Sequence, residues 1–247
     1  MRAIVLAGGI NTRSLYPGYQ PGPKATLEIG GRRLIDYVLE ALSGMDEIAI
    51  VGELALPGYR SVPGGDQPLQ SFEAALLAFP EEEYVLIAPA DQPLLRAVMV
   101  EQFLTLCRAR PGGDFYLALV PRERFTGVFA TTRKHFSHFS DGSVCHGNLA
   151  LVRPSLLQNR LAMERVNNIY RNRTSPVGSA LALGLKLGLT YVLGVHYFHK
   201  LGLEQFTAAL SRRFHTRMVG ILMSYPEVAV DIDEEADYRI ACQVLGA

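Results

Sequence analysis

Short apolar runs alternate with stretches of helical spacing along the first half of the chain. The runs are rich in branched side chains, which is typical of strands buried in a parallel sheet. These predicted strands lie at residues 2–7, 47–51, 84–88 and 114–120. Between them, apolar residues recur three and four positions apart, which predicts helices at 32–43, 67–79 and 97–109. This alternation predicts a parallel sheet with right-handed crossovers.

The pattern continues near the end of the chain. An amphipathic helix is predicted at 202–214, and strands are predicted at 217–223 and 227–232. Residues 52–65 are rich in glycine and proline and are predicted to form a loop. Ligands of parallel α/β sheets bind outside the carboxyl ends of the strands. Residues that follow the predicted strands are therefore the first candidates for a functional site.

A glycine-rich loop that suits phosphate follows the first predicted strand. Gly8 and Gly9 allow a backbone with positive φ and leave N–H groups free for phosphate oxygens. Asn11 is of a type that tolerates a left-handed conformation, and Arg13 and Lys24 bring two cations. The loop lacks both the Walker A ending and the Gly-x-Gly-x-x-Gly fingerprint. The missing third glycine argues against a dinucleotide-dependent oxidoreductase.

Carboxylates follow two of the predicted strands. Asp91 lies just beyond 84–88, and Asp231 and Asp233 end the run at 227–232. Proteins usually bind Mg²⁺ through one or two carboxylates together with phosphate and water. A turn or helix N-cap is the alternative role for Asp91, and a helix start enriched in acids is the alternative for the residues after Asp233.

These motifs resemble a known family. The sequence reads LAGG-x-x-TR, then a spacer, then Pro-Lys, and an Asp-x-Asp stretch precedes the last helix. This is similar to the nucleotidyltransferases with a MobA-like NTP transferase domain, which include sugar-phosphate nucleotidyltransferases and molybdenum-cofactor guanylyl- and cytidylyltransferases. Asn11 stands where the family usually has glycine, and Glu234 and Glu235 replace the usual Thr-Pro. The alternative is an ordinary strand-to-helix turn with incidental basic residues.

The resemblance implies a role for each matching position. Lys24 and Arg13 would be catalytic. Nucleotide contacts are implied for residues of three strand ends and their loops, namely Leu6, Ala7, Gly8, Gly9, Asn11, Thr12, Gly65, Ser71 and Asp91. Acceptor contacts are implied for Gly147 and Asn148, and metal ligation is implied for Asp91 with Asp233, or Asp231 as second choice. Ser71 as a helix-turn hydroxyl and Asn148 as a turn residue are alternatives.

The resemblance also implies a fold, a reaction and a metal. The expected fold is a Rossmann-like three-layer α/β/α sandwich with a mostly parallel mixed sheet and a helical acceptor-side insertion. Residues 1–247 would form a single domain, divided into a nucleotide-binding half at 1–120, an acceptor-side region at 121–215 and a strand and helix at 216–247 that complete the metal site. The expected reaction moves a nucleoside monophosphate from an NTP to a phosphorylated small molecule and releases pyrophosphate. The cofactor would be Mg²⁺, with Mn²⁺ as an alternative.

Two alternative functions stay open. One is a nucleotide-binding regulatory module without turnover, and the other is a transferase at the membrane surface that acts on a lipid-like phosphate. The membrane-surface alternative is suggested by residues 177–195, which are almost wholly apolar. Lys186 at the centre of this segment argues against a membrane span and favours a buried or interfacial helix. The basic stretch at 154–173 is either a solvated helix face or a contact for the acceptor phosphate.

The composition of the chain bears on its partners and on the compartment in which it works. The sequence has 24 basic and 24 acidic residues, so no net charge attracts it to nucleic acid. Its 3 cysteines form neither a zinc pattern nor a disulfide framework, which favours a reducing cytoplasm. The chain enters a strand at once, without a signal-peptide pattern. We therefore expect a cytoplasmic enzyme of open oligomeric state.

Overall fold

The computed structural model describes residues 1–164 and 201–247. Its strands are β1 (Arg2–Leu6), β2 (Ile10–Asn11), β3 (Gly22–Pro23), β4 (Glu28–Ile29), β5 (Arg32–Arg33), β6 (Glu47–Val51), β7 (Arg60–Val62), β8 (Val85–Pro89), β9 (Phe115–Pro121), β10 (Ser137–Phe139), β11 (Gly142–Val152) and β12 (Met218–Leu222). Its helices are α1 (Leu34–Ala41), α2 (Pro68–Ala78), α3 (Ala97–Arg108), α4 (Leu203–Phe214) and α5 (Glu235–Leu245). Every helix predicted in these ranges is present.

An eight-stranded sheet lies at the centre of the molecule. Its order is β12-β9-β11-β8-β1-β6-β7, and β10 pairs with β11. The pairs of β1 with β6 and β8, of β6 with β7 and of β12 with β9 are parallel, whereas β11 runs antiparallel to β8 and β9. The sheet is therefore mixed and mostly parallel, as predicted.

Alternating side chains of the strands build a core on each face of the sheet. Val5 of β1 packs in the cluster that includes residues of α1 and α3, whereas Ile4 packs in the cluster that includes residues of α2. Helix α4 packs on β12, and Phe206 of α4 joins a smaller cluster with Leu119 and Phe139. Helices thus cover both faces, and the predicted Rossmann-like three-layer sandwich is confirmed.

Three predicted segments differ from the structure. The predicted loop at 52–65 contains the short edge strand β7, which pairs in parallel with β6. The strand predicted at 227–232 is wrong, because Pro226–Ala229 form a 3-10 helix and the residues after it pair with no strand. The turn expected at Gly147 and Asn148 is instead a register irregularity inside β11, between His146 and Ala150.

The apolar segment at 177–195 lies outside the described residues, as does most of the helical insertion expected on the acceptor side. The same holds for 165–173 of the basic stretch. Within 1–164 and 201–247, no helix is both long enough and apolar enough to cross a bilayer.

The carboxyl ends of three neighbouring strands meet at one rim of the sheet. Leu6 of β1 lies in register with Val51 of β6 and Pro89 of β8. The next residues extend this contact, because the Ala7 N–H donates to the Val51 carbonyl at 2.8 Å. The glycine-rich loop and Asp91, which follows β8, therefore share this rim, as the strand order requires.

Gly52 allows the first two loops to pack closely at this rim. Its φ is +146°, a conformation that side chains rarely adopt, and a Cβ atom there would lie 3.0 Å from the Gly8 nitrogen. A larger residue would push against the backbone that begins the glycine-rich loop.

We expect Gly52→Ala to lower the free energy of unfolding by about 1–3 kcal/mol, because both the backbone conformation and the contact become unfavourable. Gly44→Ala is the matched control, since a Cβ atom at Gly44 would have no atom within 4 Å and its φ is not positive. Chemical denaturation of both variants measures the difference. Equal stabilities of the two variants would contradict this role for Gly52.

Candidate active site

A cavity of about 250 Å³ opens at the rim where β1, β6 and β8 end. Its walls come from the glycine-rich loop, the start of α2 and the end of β8: Leu6, Ala7, Gly8, Gly9, Lys24, Ala25, Gly65, Asp66, Gln67, Ser71, Pro89, Ala90 and Asp91. Seven of the predicted nucleotide-binding residues and Lys24 therefore lie around one cavity. Asn11 and Thr12 do not line it.

The backbone of the glycine-rich loop differs from the predicted left-handed turn. Gly8, Gly9 and Asn11 all have φ outside the positive range, so the expected left-handed turn is wrong. The loop instead forms a small antiparallel pair of β2 with β3. A Cβ atom at Gly9 would lie 3.4 Å from Cδ of Lys24, so this glycine leaves room for the lysine side chain.

Two polar side chains among the predicted nucleotide-binding residues form hydrogen bonds with the backbone of nearby loops. Asn11 is buried, its Oδ1 accepts from the Arg13 N–H at 2.8 Å, and its Nδ2 has no partner within the described residues. The Ser71 hydroxyl accepts from the Gly65 N–H at 3.1 Å and donates to the Gly65 carbonyl at 3.3 Å. Ser71 therefore holds the cavity wall, which agrees with its alternative role as a structural hydroxyl.

Lys24 joins two carboxylates from distant parts of the chain. Its Nζ donates to Oδ2 of Asp91 at 2.7 Å and also to Oδ1 of Asp233. The side chains of Lys24 and Asp91 are largely buried, whereas that of Asp233 is half exposed. A backbone hydrogen bond of 3.0 Å from the Ile232 N–H to the Asp91 carbonyl brings the two acidic segments together.

A second lysine holds the other acids of the site. Nζ of Lys134 lies 2.6 Å from Oδ1 of Asp231 and 3.4 Å from Oδ1 of Asp237. The Asn148 amide also donates to Oδ1 of Asp231, at 3.3 Å. Oδ2 of Asp237 accepts from the N–H groups that precede α5 at 3.2–3.3 Å, so Asp237 caps this helix.

Burial and neighbouring charges shift the pKa values of these lysines and carboxylates in opposite directions. Burial alone would lower the pKa of Lys24, but the negative charges of Asp91 and Asp233 outweigh it and raise that pKa. Burial raises the pKa of Asp91 more than Lys24 lowers it. For Asp231 burial also acts upward, yet the charge of Lys134 prevails and lowers its pKa. The lysines therefore stay charged at neutral pH and stabilise the acids beside them.

The acids near Lys24 fit a divalent cation. One carboxylate oxygen from each of Asp91, Asp231 and Asp233 lies within 4.8 Å of the others. Oδ1 of Asp91 is buried and has no hydrogen-bond partner within the described residues. An unpaired carboxylate oxygen in such a place is costly unless a cation or donor reaches it. Oxygen ligands of this kind suit Mg²⁺ and Mn²⁺.

Arg13 does not line the rim cavity. It lines a separate cleft of about 580 Å³ between the loop at 12–21 and α5. Thr12 is exposed and lines neither cavity. Gly147 is buried, and a Cβ atom there would lie 2.9 Å from Cβ of Ala118, so close packing explains this glycine. The acceptor role predicted for Gly147 stays a prediction.

Sequence reasoning missed several residues of the site. Lys134 lies in a basic stretch without a motif, so only its pairing with Asp231 identifies it. Asp66 and Gln67 line the cavity beside Gly65 and could have been found from their place in the loop before α2.

Comparisons with known proteins match both the sequence and the fold of the chain. The sequence profile of the family described as the MobA-like NTP transferase domain matches residues 3–173. A solved structure described as a hypothetical transferase from Thermus thermophilus is 30% identical, with a TM-score of 0.79, and the match covers 96% of this chain and 98% of that one.

Curated relatives match over shorter stretches. A 2-C-methyl-D-erythritol 4-phosphate cytidylyltransferase of Xanthomonas euvesicatoria pv. vesicatoria is 32% identical over 136 residues, which is 48% of this chain and 50% of that protein. A CTP:phosphoglutamine cytidylyltransferase of Campylobacter jejuni is 44% identical over 54 residues, or 21% of each chain. The chain thus spans half the length or less of these relatives.

The family profile covers more than half of the chain, and the Thermus thermophilus structure extends the similarity over nearly all of it. The chain therefore belongs to the family of proteins with a MobA-like NTP transferase domain.

Proposed function

We propose that the chain is a divalent-metal-dependent nucleotidyltransferase. It transfers a nucleoside monophosphate from an NTP to a phosphorylated small molecule and releases pyrophosphate. The observation that carries this proposal is the position of Lys24, which lies at the wall of the rim cavity and contacts both Asp91 and Asp233. A buried cation beside free carboxylate oxygens is suited to phosphate chemistry, where charge must be stabilised in a fixed geometry.

The reaction requires two anions to approach each other. An oxygen of the acceptor phosphate forms a bond to the α-phosphorus, and the bond from that phosphorus to the bridging oxygen breaks, so pyrophosphate leaves with the electron pair. Lys24 stabilises the negative charge that develops on the α-phosphoryl oxygens. The acceptor phosphate is already ionised at neutral pH, so no side chain needs to remove a proton.

The carboxylates of the site have a role that complements Lys24. Asp91 and Asp233 would hold the divalent cation, with Asp231 as a further oxygen ligand. When bound, such a cation neutralises phosphate charge and orients the nucleotide. Lys134 and Asn148 fix Oδ1 of Asp231, which keeps that carboxylate beside the centre.

The relatives suggest which substrates to test first. Two of them are named as cytidylyltransferases, and their names include the phosphorylated acceptors methylerythritol phosphate and phosphoglutamine. CTP and small phosphorylated polyols, sugars or amides are therefore the first substrates. The regulatory module without turnover is the second candidate, since binding and turnover would use the same cavity. A cytoplasmic setting stays a prediction.

We expect pyrophosphate release with Mg²⁺, one NTP and one acceptor from a panel of phosphorylated compounds. Lys24→Ala and Asp91→Asn should each reduce the rate by at least about 10²-fold, because each removes a group that stabilises transferred charge. An enzyme-coupled pyrophosphate assay measures the rates. Arg108→Ala is the control, since Arg108 ends α3 and its side chain donates a hydrogen bond to Thr105 of the same helix.

Two results would contradict this proposal. Equal rates in the wild type and in Lys24→Ala would place the chemistry elsewhere. A melting temperature raised by an NTP, without pyrophosphate from any acceptor, would favour the regulatory module.

Lys24 also competes with a divalent cation for the same carboxylates. We therefore expect Lys24→Met to bind Mn²⁺ about tenfold more tightly than the wild type in the absence of nucleotide, because charge-paired hydrogen bonds no longer have to break. Titration followed by electron paramagnetic resonance of free Mn²⁺ measures the affinity.

Arg108→Met is the matched control for this titration, since it removes one positive charge at the end of α3, where the side chain bonds to Thr105 and not to the acids. Its Mn²⁺ affinity should equal that of the wild type. Weaker Mn²⁺ binding by Lys24→Met than by the wild type would show that Lys24 does not compete for the acids.

A further inference from the structure

The segment that carries Asp231 and Asp233 reaches the proposed reaction centre without belonging to the sheet. This Asp-x-Asp segment, residues 224–233, contains the 3-10 helix Pro226–Ala229, and the residues after that helix pair with no strand among those that the structure describes. A strand at this place would be fixed by a ladder of backbone hydrogen bonds to its neighbour. Other contacts must therefore fix the position of the two aspartates.

Two glutamine side chains form hydrogen bonds with the Asp-x-Asp segment. Oε1 of Gln102, on α3, accepts from the Ser224 N–H at 3.1 Å, and its Nε2 donates to the Ser224 hydroxyl at 3.2 Å. Nε2 of Gln92, which follows β8, donates to the Val228 carbonyl at 2.9 Å. Gln102 is partly exposed, whereas Gln92 is fully buried. Gln102 thus holds the segment near the surface, and Gln92 holds it from the interior.

The hydrogen bond of Gln92 lies directly beside the acids of the site. Gln92 follows Asp91 in the chain, and the Asp91 carbonyl accepts from the Ile232 N–H at 3.0 Å. Two adjacent residues therefore hold the Asp-x-Asp segment, and Asp231 and Asp233 flank the second of these attachments. A shift of this backbone would change the spacing of the three carboxylate oxygens, which lie within 4.8 Å of one another.

The amide of Gln92 contributes little net stability for a polar side chain in the interior. The residue is 0% exposed, and its Oε1 is buried without a hydrogen-bond partner in the part of the chain that the structure describes. An unpaired buried acceptor costs free energy of the same order as one hydrogen bond contributes. A buried amide that is only half paired, next to the acids, indicates a role in function rather than in folding.

We propose that Gln92 is a positioning residue of the metal centre. By holding the Val228 carbonyl, it fixes the two aspartates of the Asp-x-Asp segment beside Asp91. The inference rests on the divalent-cation site of the proposed function. Mg²⁺ requires its oxygen ligands in nearly ideal octahedral geometry, so a small change in the spacing of the carboxylates lowers affinity. Gln92 acts through the backbone of the segment and is not itself a ligand.

Gln92→Met tests this role, because methionine has a similar length but no N–H donor. Mn²⁺ is titrated without nucleotide into the wild type and into Lys24→Met, each with and without Gln92→Met, and free Mn²⁺ is followed by electron paramagnetic resonance. Gln92→Met should weaken Mn²⁺ binding about tenfold in both backgrounds, because the hydrogen bond that holds the ligands in place is lost. The melting temperature should change by less than about 4 °C, since the lost bond and the removed unpaired oxygen nearly cancel.

Two control variants separate positioning from stability. Gln102→Met removes the other glutamine amide that bonds to the segment, at Ser224, and should leave Mn²⁺ affinity unchanged. Leu76→Val alters the core on the opposite face of the sheet and should lower the melting temperature without weakening Mn²⁺ binding. Unchanged Mn²⁺ affinity in Gln92→Met, or an equal loss in either control, would overturn the role of Gln92 alone. Absence of Mn²⁺ binding by both the wild type and Lys24→Met would overturn the metal centre of the proposed function, and this inference with it.

Discussion

The ammonium group of Lys24 between Asp91 and Asp233 is the interaction on which the site depends. These acids lie 67 and 209 residues from Lys24 along the chain, so the contact joins the glycine-rich loop, the end of β8 and the segment before α5. Lys24 and Asp91 are each poorly placed without a partner, because a buried charge needs a counter-charge. The proposed nucleotidyl transfer uses the same three groups, so folding and proposed function rest on one cluster.

The sheet makes this cluster possible. Parallel strands β1, β6 and β8 end in register, so the loops that follow them lie together at one rim of the sheet. Close packing at Gly52 and the bond from Ile232 to Asp91 then bring backbone from both ends of the chain together.

Much of this arrangement could be predicted from the sequence. Continuous apolar runs predicted β1 and β6, because the apolar pattern of a buried strand is a local signal. The rule that ligands bind at the carboxyl ends of parallel strands then predicted that Gly8 and Asp91 share one rim. The strand predicted at 227–232 is wrong, since burial of Val230 and Ile232 beside Leu15 produces the same apolar pattern as a buried strand. Lys134 could not be predicted, because its role depends on a contact across 97 residues that no local pattern records.

A crystal structure with Mn²⁺ and the best-bound NTP analogue tests the central claim most directly. We predict an anomalous manganese peak within coordination distance of Asp91 and Asp233, with Nζ of Lys24 turned from these acids to the α-phosphate. The triphosphate should lie over Gly8 and Gly9. A nucleotide bound elsewhere, or Lys24 still paired with both acids beside a bound nucleotide, would contradict it.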